Sequence, residues 1–211
     1  MAGNTKIVRF ELLQTSILKS TEPATSGKRG KNDMTPTHVQ AGMPRAVTDD
    51  DTILATAEIP QPVEHIFRAL TTKEVENWWG SPETYQIVNW TADLLVGGRW
   101  SLGVRLPNGT VYPASGEFIE IESPKKIVQT RKYDWDHPNL GRRVTTVTYR
   151  LEPIPHGTRI TVRHEGFQGL RDAADEHASG WERFLGWLDT YFRSGARPPG
   201  EEQQTEEKSH E

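Results

Sequence analysis

The chain has no cysteine, which excludes disulfides, thiolate zinc sites and thiol catalysis. It also has no apolar run approaching the ~18 residues of a membrane span, and its mean hydropathy is −0.68. Charge of one sign is scarce: 25 Lys and Arg against 29 Asp and Glu leave −4. That mild acidity offers no footing for nucleic acid. Tryptophan is missing from the first 50 and the last 16 residues, yet seven fall between Trp78 and Trp187. These limits point to a soluble, cytoplasmic chain with one domain over 49–195. A domain of ~150 residues buries about 70% of its unfolded surface, enough for a core.

The flanks are expected to be disordered. Segment 1–48 is basic and poor in aromatics, with Lys28, Arg29 and Lys31 in one short stretch. Phe10, Leu13 and Ile17 would share one face of a short helix, but no secretory core is present. A transit peptide is the lesser alternative, and Met34 and Met43 offer later translation starts. The tail 196–211 is rich in Glu and Gln, hence acidic.

What is there begins at the C-terminal end. Over 170–193, Trp181, Leu185, Leu188 and Phe192 recur at i, i+4, i+7 and i+11, with Phe184 and Tyr191 widening the stripe. Acidic residues at 172, 175 and 176 and Arg193 at the other end suit the helix dipole, and Gly195 with Pro198-Pro199 supplies a stop. At 1.5 Å per residue the rod is ~35 Å long and needs a broad cover.

Segment 52–59 alternates as a strand. Pro62 opens a helix carrying Val63, Ile66, Phe67 and Leu70, and Thr71 with Glu74 reads as a capping box for a second short helix ending at Trp78-Trp79-Gly80. Strand patterns follow at 85–94, 99–106, 111–121, 127–135, 144–151 and 158–164, with Asn108-Gly109 as the strongest hairpin signal. The expectation is α+β: a seven-stranded antiparallel sheet curled around the long C-terminal helix, with two short helices after the first strand.

Several motifs carry a resemblance. Leu70-Thr71, Trp78-Trp79-Gly80, Asp93-Leu94-Leu95-Val96-Gly97-Gly98-Arg99-Trp100, Gly116-Glu117 and Glu120-Ile121-Glu122-Ser123-Pro124 come first. Gly157-Thr158-Arg159-Ile160-Thr161-Val162, His164-Glu165-Gly166-Phe167 and His177 with Gly180-Trp181 continue in order. Together they resemble the activator of heat-shock protein 90 ATPase homologue family of the SRPBCC, or START-like, superfamily, over 52–192. The resemblance implies a helix-grip fold with a cavity between sheet and helix. It implies no shared catalytic residues, and the chaperone-activating role belongs to members with an additional N-terminal domain. Leu95 stands where the family often has a basic residue, and Arg131 where an aromatic is common.

Candidate cavity residues are Trp79, Trp100, Tyr112, Phe118, Arg131, Tyr149, His164, Trp181 and Phe184, because ligand pockets are mostly aromatic with few polar groups. A closed core would use the same aromatics. Arg131 is expected on the convex, solvated face; turned inward it would need an anion such as Glu117 or a bound carboxylate. His164 reads as a hydrogen-bonded structural histidine and His177 as exposed near the helix start. Gly180 implies close packing of the helix against the sheet or, as the second reading, room for a ligand. Asp134, Asp136 and His137 read as surface polarity, so no metal, cofactor or catalytic residue is assigned. Three functions stay open. The first is a carrier for a small hydrophobic or amphipathic ligand, which is favoured. The others are an accessory to a heat-shock chaperone, and a cavity enzyme of cyclase, hydrolase or lyase type using Glu117, Arg131, Tyr112 or His164. A monomer or homodimer is expected, with no nucleic-acid or membrane partner.

Overall fold

The structure is a computed structural model, and it describes residues 42–49 and 51–194. The expected helix at 10–17, the stop at 195–199, and all but 42–48 of the two flanks lie outside the described residues. Strand β1 (Arg45–Asp49) leads into β2 (Thr52–Ile59), then α1 (Val63–Thr71) and α2 (Val75–Trp78). Strands β3 (Gly80–Ser81), β4 (Tyr85–Ala92), β5 (Arg99–Arg105), β6 (Val111–Glu122), β7 (Lys126–Tyr133), β8 (Thr145–Ile154) and β9 (Gly157–Glu165) follow, and α3 (Arg171–Arg193) ends the fold. The strands form one antiparallel sheet in the order β1-β2-β9-β8-β7-β6-β5-β4-β3.

The sheet therefore has nine strands, not seven. The first addition, β1, falls in the segment expected to be disordered and pairs with β2 from Arg45↔Thr56 to Asp49↔Thr52. The second, β3, is two residues pairing with β4. The β5–β6 hairpin turns at Asn108-Gly109, where Gly109 has φ +85°, a left-handed conformation that glycine adopts at no steric cost.

Alternation decides which side chains face α3. In β2 the inward set is Ile53, Ala55, Ala57 and Ile59, all buried. Its two central alanines are small where the α3 backbone comes closest to the sheet, over β2 and β1. The α3 stripe meets this face with Trp181, Phe184, Leu185 and Leu188, none more than 5% exposed. Each such side chain contributes roughly 1.5–3 kcal/mol by leaving water.

The capping box does not form. Thr71 is the last residue of α1, and its hydroxyl donates back to the Phe67 carbonyl at 2.7 Å. The Glu74 amide donates instead to the Thr72 hydroxyl at 3.3 Å. The Glu74 carboxylate is buried and accepts from Arg68 Nε at 2.9 Å and from the Tyr191 hydroxyl at 3.2 Å. It is a tie joining α1, α2 and α3.

Candidate functional site

The inward face of β7 carries the charge. Ile127, Gln129 and Arg131 are buried in alternation, with Tyr133 half-buried in the same phase. Gln129 lies between Phe118 of β6 and Val147 of β8, and Arg131 pairs with Thr145. The expectation of a solvated Arg131 is thus overturned: the residue is 8% exposed and faces the interior. Its guanidinium carbon lies 5.3 Å from the centroid of the Trp79 ring and 5.7 Å from that of Tyr133. Glu117, the suggested counter-ion, is exposed, and its amide donates to the Thr130 hydroxyl.

No hydrogen bond or ion pair joins the Arg131 or Gln129 side chain to another described residue, and their polar atoms are not among those sealed from water. A buried ion costs several kcal/mol even after relaxation, whereas a desolvated cation–π contact returns about 2 kcal/mol. The two rings soften that cost but spend none of the five N–H donors of the guanidinium.

Around Arg131 the polar groups are neutral and oriented. The indole N–H of Trp181 donates to His164 Nδ1 at 3.0 Å, which places the His164 proton on Nε2. That N–H donates to the Thr145 hydroxyl at 2.8 Å, and the hydroxyl donates to the Arg131 carbonyl at 3.1 Å. Both imidazole nitrogens are engaged, and burial holds the pKa of His164 well below the ordinary value. His164 is thus hydrogen-bonded through both ring nitrogens.

His177 is partly buried and turned inward, not exposed. Its Nδ1–H donates to the Ala173 carbonyl at 2.8 Å and its Nε2 accepts from the Tyr133 hydroxyl at 3.2 Å. Burial pushes its pKa down to about 3. His137 is buried too, stacked on Tyr133 at 4.5 Å, and its Nδ1 accepts from the amides of Asn139 and Leu140. The loop read as surface polarity thus contributes an interior histidine. A metal site is not formed there: among the described residues no three His, Asp or Glu side chains gather as a ligand set.

Of the nine expected residues, six meet at one place. Arg131 lies on Trp79, Trp79 meets Phe184 at 4.8 Å, Phe184 meets Trp181 at 4.9 Å, and Trp181 meets Tyr149 at 5.8 Å and His164 at 5.7 Å. Phe118 borders this group opposite Gln129. Trp100 is a strand further away, stacked on Trp90 at 5.9 Å and lying against Gly116, where a Cβ would come within 2.6 Å of its indole nitrogen. Tyr112 stands apart against Trp135 at 4.4 Å. Sequence reasoning missed Tyr133, His137 and His177; the first was in phase with Arg131. Separately, an open recess of about 440 Å³ is lined by Asn77, Trp78, Gly80, Trp187, Thr190, Tyr191 and Ser194, and includes none of the nine.

A concave antiparallel sheet holding a C-terminal helix over an aromatic interior defines the helix-grip class. Residues 60–193 match the family model described as Activator of Hsp90 ATPase homolog 1-like protein, and the chain belongs to that family. The fold is similar to that of a protein from Rhodobacter sphaeroides, with TM-score 0.62 and 20% identity over 72% of this chain and 98% of that one. A protein from Mycobacterium smegmatis gives TM-score 0.60 and 21% identity over 72% and 97%. An AHSA1-like protein from Aeromonas hydrophila gives 0.56 and 19% over 68% and 93%. No curated protein matches the sequence. Among the described residues no helix is long and apolar enough to cross a membrane.

Proposed function

We propose that the protein binds a small hydrophobic or amphipathic molecule between the concave sheet face and α3, with Trp79, Arg131, Tyr149, Trp181 and Phe184 at the site. One observation carries this reading: among the described residues the Gln129 and Arg131 side chains, both buried on the inner face, have no hydrogen-bond partner, and their polar atoms keep access to water. A closed core seals its polar groups from water and supplies them with partners. A binding interior keeps a few open to orient its ligand. On this reading the chain works in the cytoplasm, as a monomer or homodimer. Chaperone docking finds support in the family description alone and would appear as stimulated Hsp90 ATPase turnover.

The test is extraction of the purified full-length protein and mass spectrometry for retained small molecules, followed by thermal shift across lipids and aromatic metabolites. A retained compound, or a concentration-dependent rise in melting temperature, is expected. An empty extract with no shift across the panel sinks the reading.

A further inference from the structure

Resting on that ligand-binding reading, we infer that Arg131 is an anion anchor and that the ligand is a monocarboxylate with an apolar body. The chemistry follows from a count of donors and of charge. Arg131 as a residue is 8% exposed, and no described residue accepts from its N–H groups. Its contacts with Trp79 and Tyr133 are cation–π, which hold the charge in place and leave the donor fork free. A planar carboxylate matches that fork with two parallel N–H···O bonds. The Gln129 amide, two residues along the same inward face, is a further unspent donor and acceptor.

Charge balance then selects among anions. The positive charge of Arg131 is felt at Tyr85, Tyr149, His137, His164 and His177. Among the described residues, the carboxylate acting on any of these five is Glu176, at His137, and Glu176 already accepts from Asn139. His164 and His177 are neutral, each fixed in one tautomer by the donors and acceptors around it. Among the described residues, then, no carboxylate pairs with the Arg131 guanidinium, and it presents one positive charge to the interior. It matches a singly charged carboxylate, whereas a phosphate dianion would bring a second negative charge with no partner. The remaining walls, Tyr149, Trp181 and Phe184, suit an aromatic or aliphatic body.

The experiment uses the full chain and two matched probe pairs, 2-naphthoate with 2-naphthylmethanol and decanoate with 1-decanol. Binding is read by titration calorimetry or quenching of tryptophan fluorescence. The wild type is expected to favour each acid over its alcohol by about tenfold or more, the worth of a good charge-assisted pair. R131L should erase that preference, since leucine offers a carboxylate neither the charge nor the donor fork. R131K, which keeps the charge without the fork, should retain part of it. Folding of each variant is checked by thermal melting and near-ultraviolet circular dichroism. If R131L does not fold, the wild-type preference and R131K still decide. A wild type that binds alcohols as well as acids overturns the inference and leaves the ligand reading intact, as does an R131L that keeps the acid preference. A wild type that binds neither member of either pair overturns the inference, while the ligand reading is decided by the extraction and the thermal-shift panel.

Discussion

Gly180 sits in the middle of α3 with nothing within 4 Å of where its Cβ would stand, so close packing is not its reason. A mid-helix glycine costs about 1 kcal/mol relative to alanine. Gly180→Ala should therefore raise stability by about that amount, measured as a higher denaturant midpoint with unchanged slope. A loss of stability would mean that the helix bends or moves at this point. The sequence identified Gly180 as unusual and favoured close packing over room for a ligand, and the first is overturned because the reason for a glycine lies in its neighbours. Arg131 posed a similar difficulty. In β7 one face reads Ile127, Gln129, Arg131, Tyr133 and the other Val128, Thr130, Lys132, and neither is cleanly apolar. Only the flanking strands, which put Phe118, Val147 and Thr145 beside the first set, decide which face is inside. His164 was easier, since Ile160 and Val162 share its phase and are fully buried.

Among the elements, the Glu74 tie is the feature that sequence patterning misread. A Glu three residues after a Thr looks like a cap, and the pattern carries no sign of a long-range partner at Tyr191. The Glu74 side chain is 3% exposed, while that of Arg68 is 33% exposed. Solvent screening at Arg68 lowers the worth of the pair below the 3–5 kcal/mol of a fully buried one. Glu74→Ala should cost about 2 kcal/mol, read by urea unfolding; a cost under about 0.5 kcal/mol, typical of surface substitutions, would mean that the three helices do not depend on it. The missed strands have separate explanations. In β1 no residue is buried and Val47 is 60% exposed, so it has no apolar face to display. The two residues of β3 are too few for any period. The long amphipathic helix and the inward alternation of β2 were legible because each repeats its pattern over several turns or pairs.

For the whole molecule, the interior histidines set an acid limit. Burial lowers the pKa values of His137, His164 and His177 in the folded state, so the unfolded chain binds more protons once pH falls below about 6.5. Their contribution to stability is complete above that pH and is lost as pH falls toward the folded value, about 3 for His177. The expected profile is level from pH 8 to 7 for these groups. It then declines by up to about 1.4 kcal/mol per pH unit for each histidine. His177→Gln should flatten the decline by up to one histidine's share, measured as unfolding free energies between pH 4.5 and 8. A level wild-type profile down to pH 5 would show that these rings are protonated in the fold.

The order of strands has a consequence for synthesis. Strand β2 is among the earliest to leave the ribosome, yet one of its two edges is completed by β9, with Ile53 beside His164. Until about residue 165 has emerged, that edge has no permanent neighbour, and the helix that covers its inner side is still unmade. Pairings across so much chain form slowly and leave unpaired strand edges exposed meanwhile. A nascent chain stopped after β8 should therefore be more readily captured by holding factors or digested by protease than the finished protein.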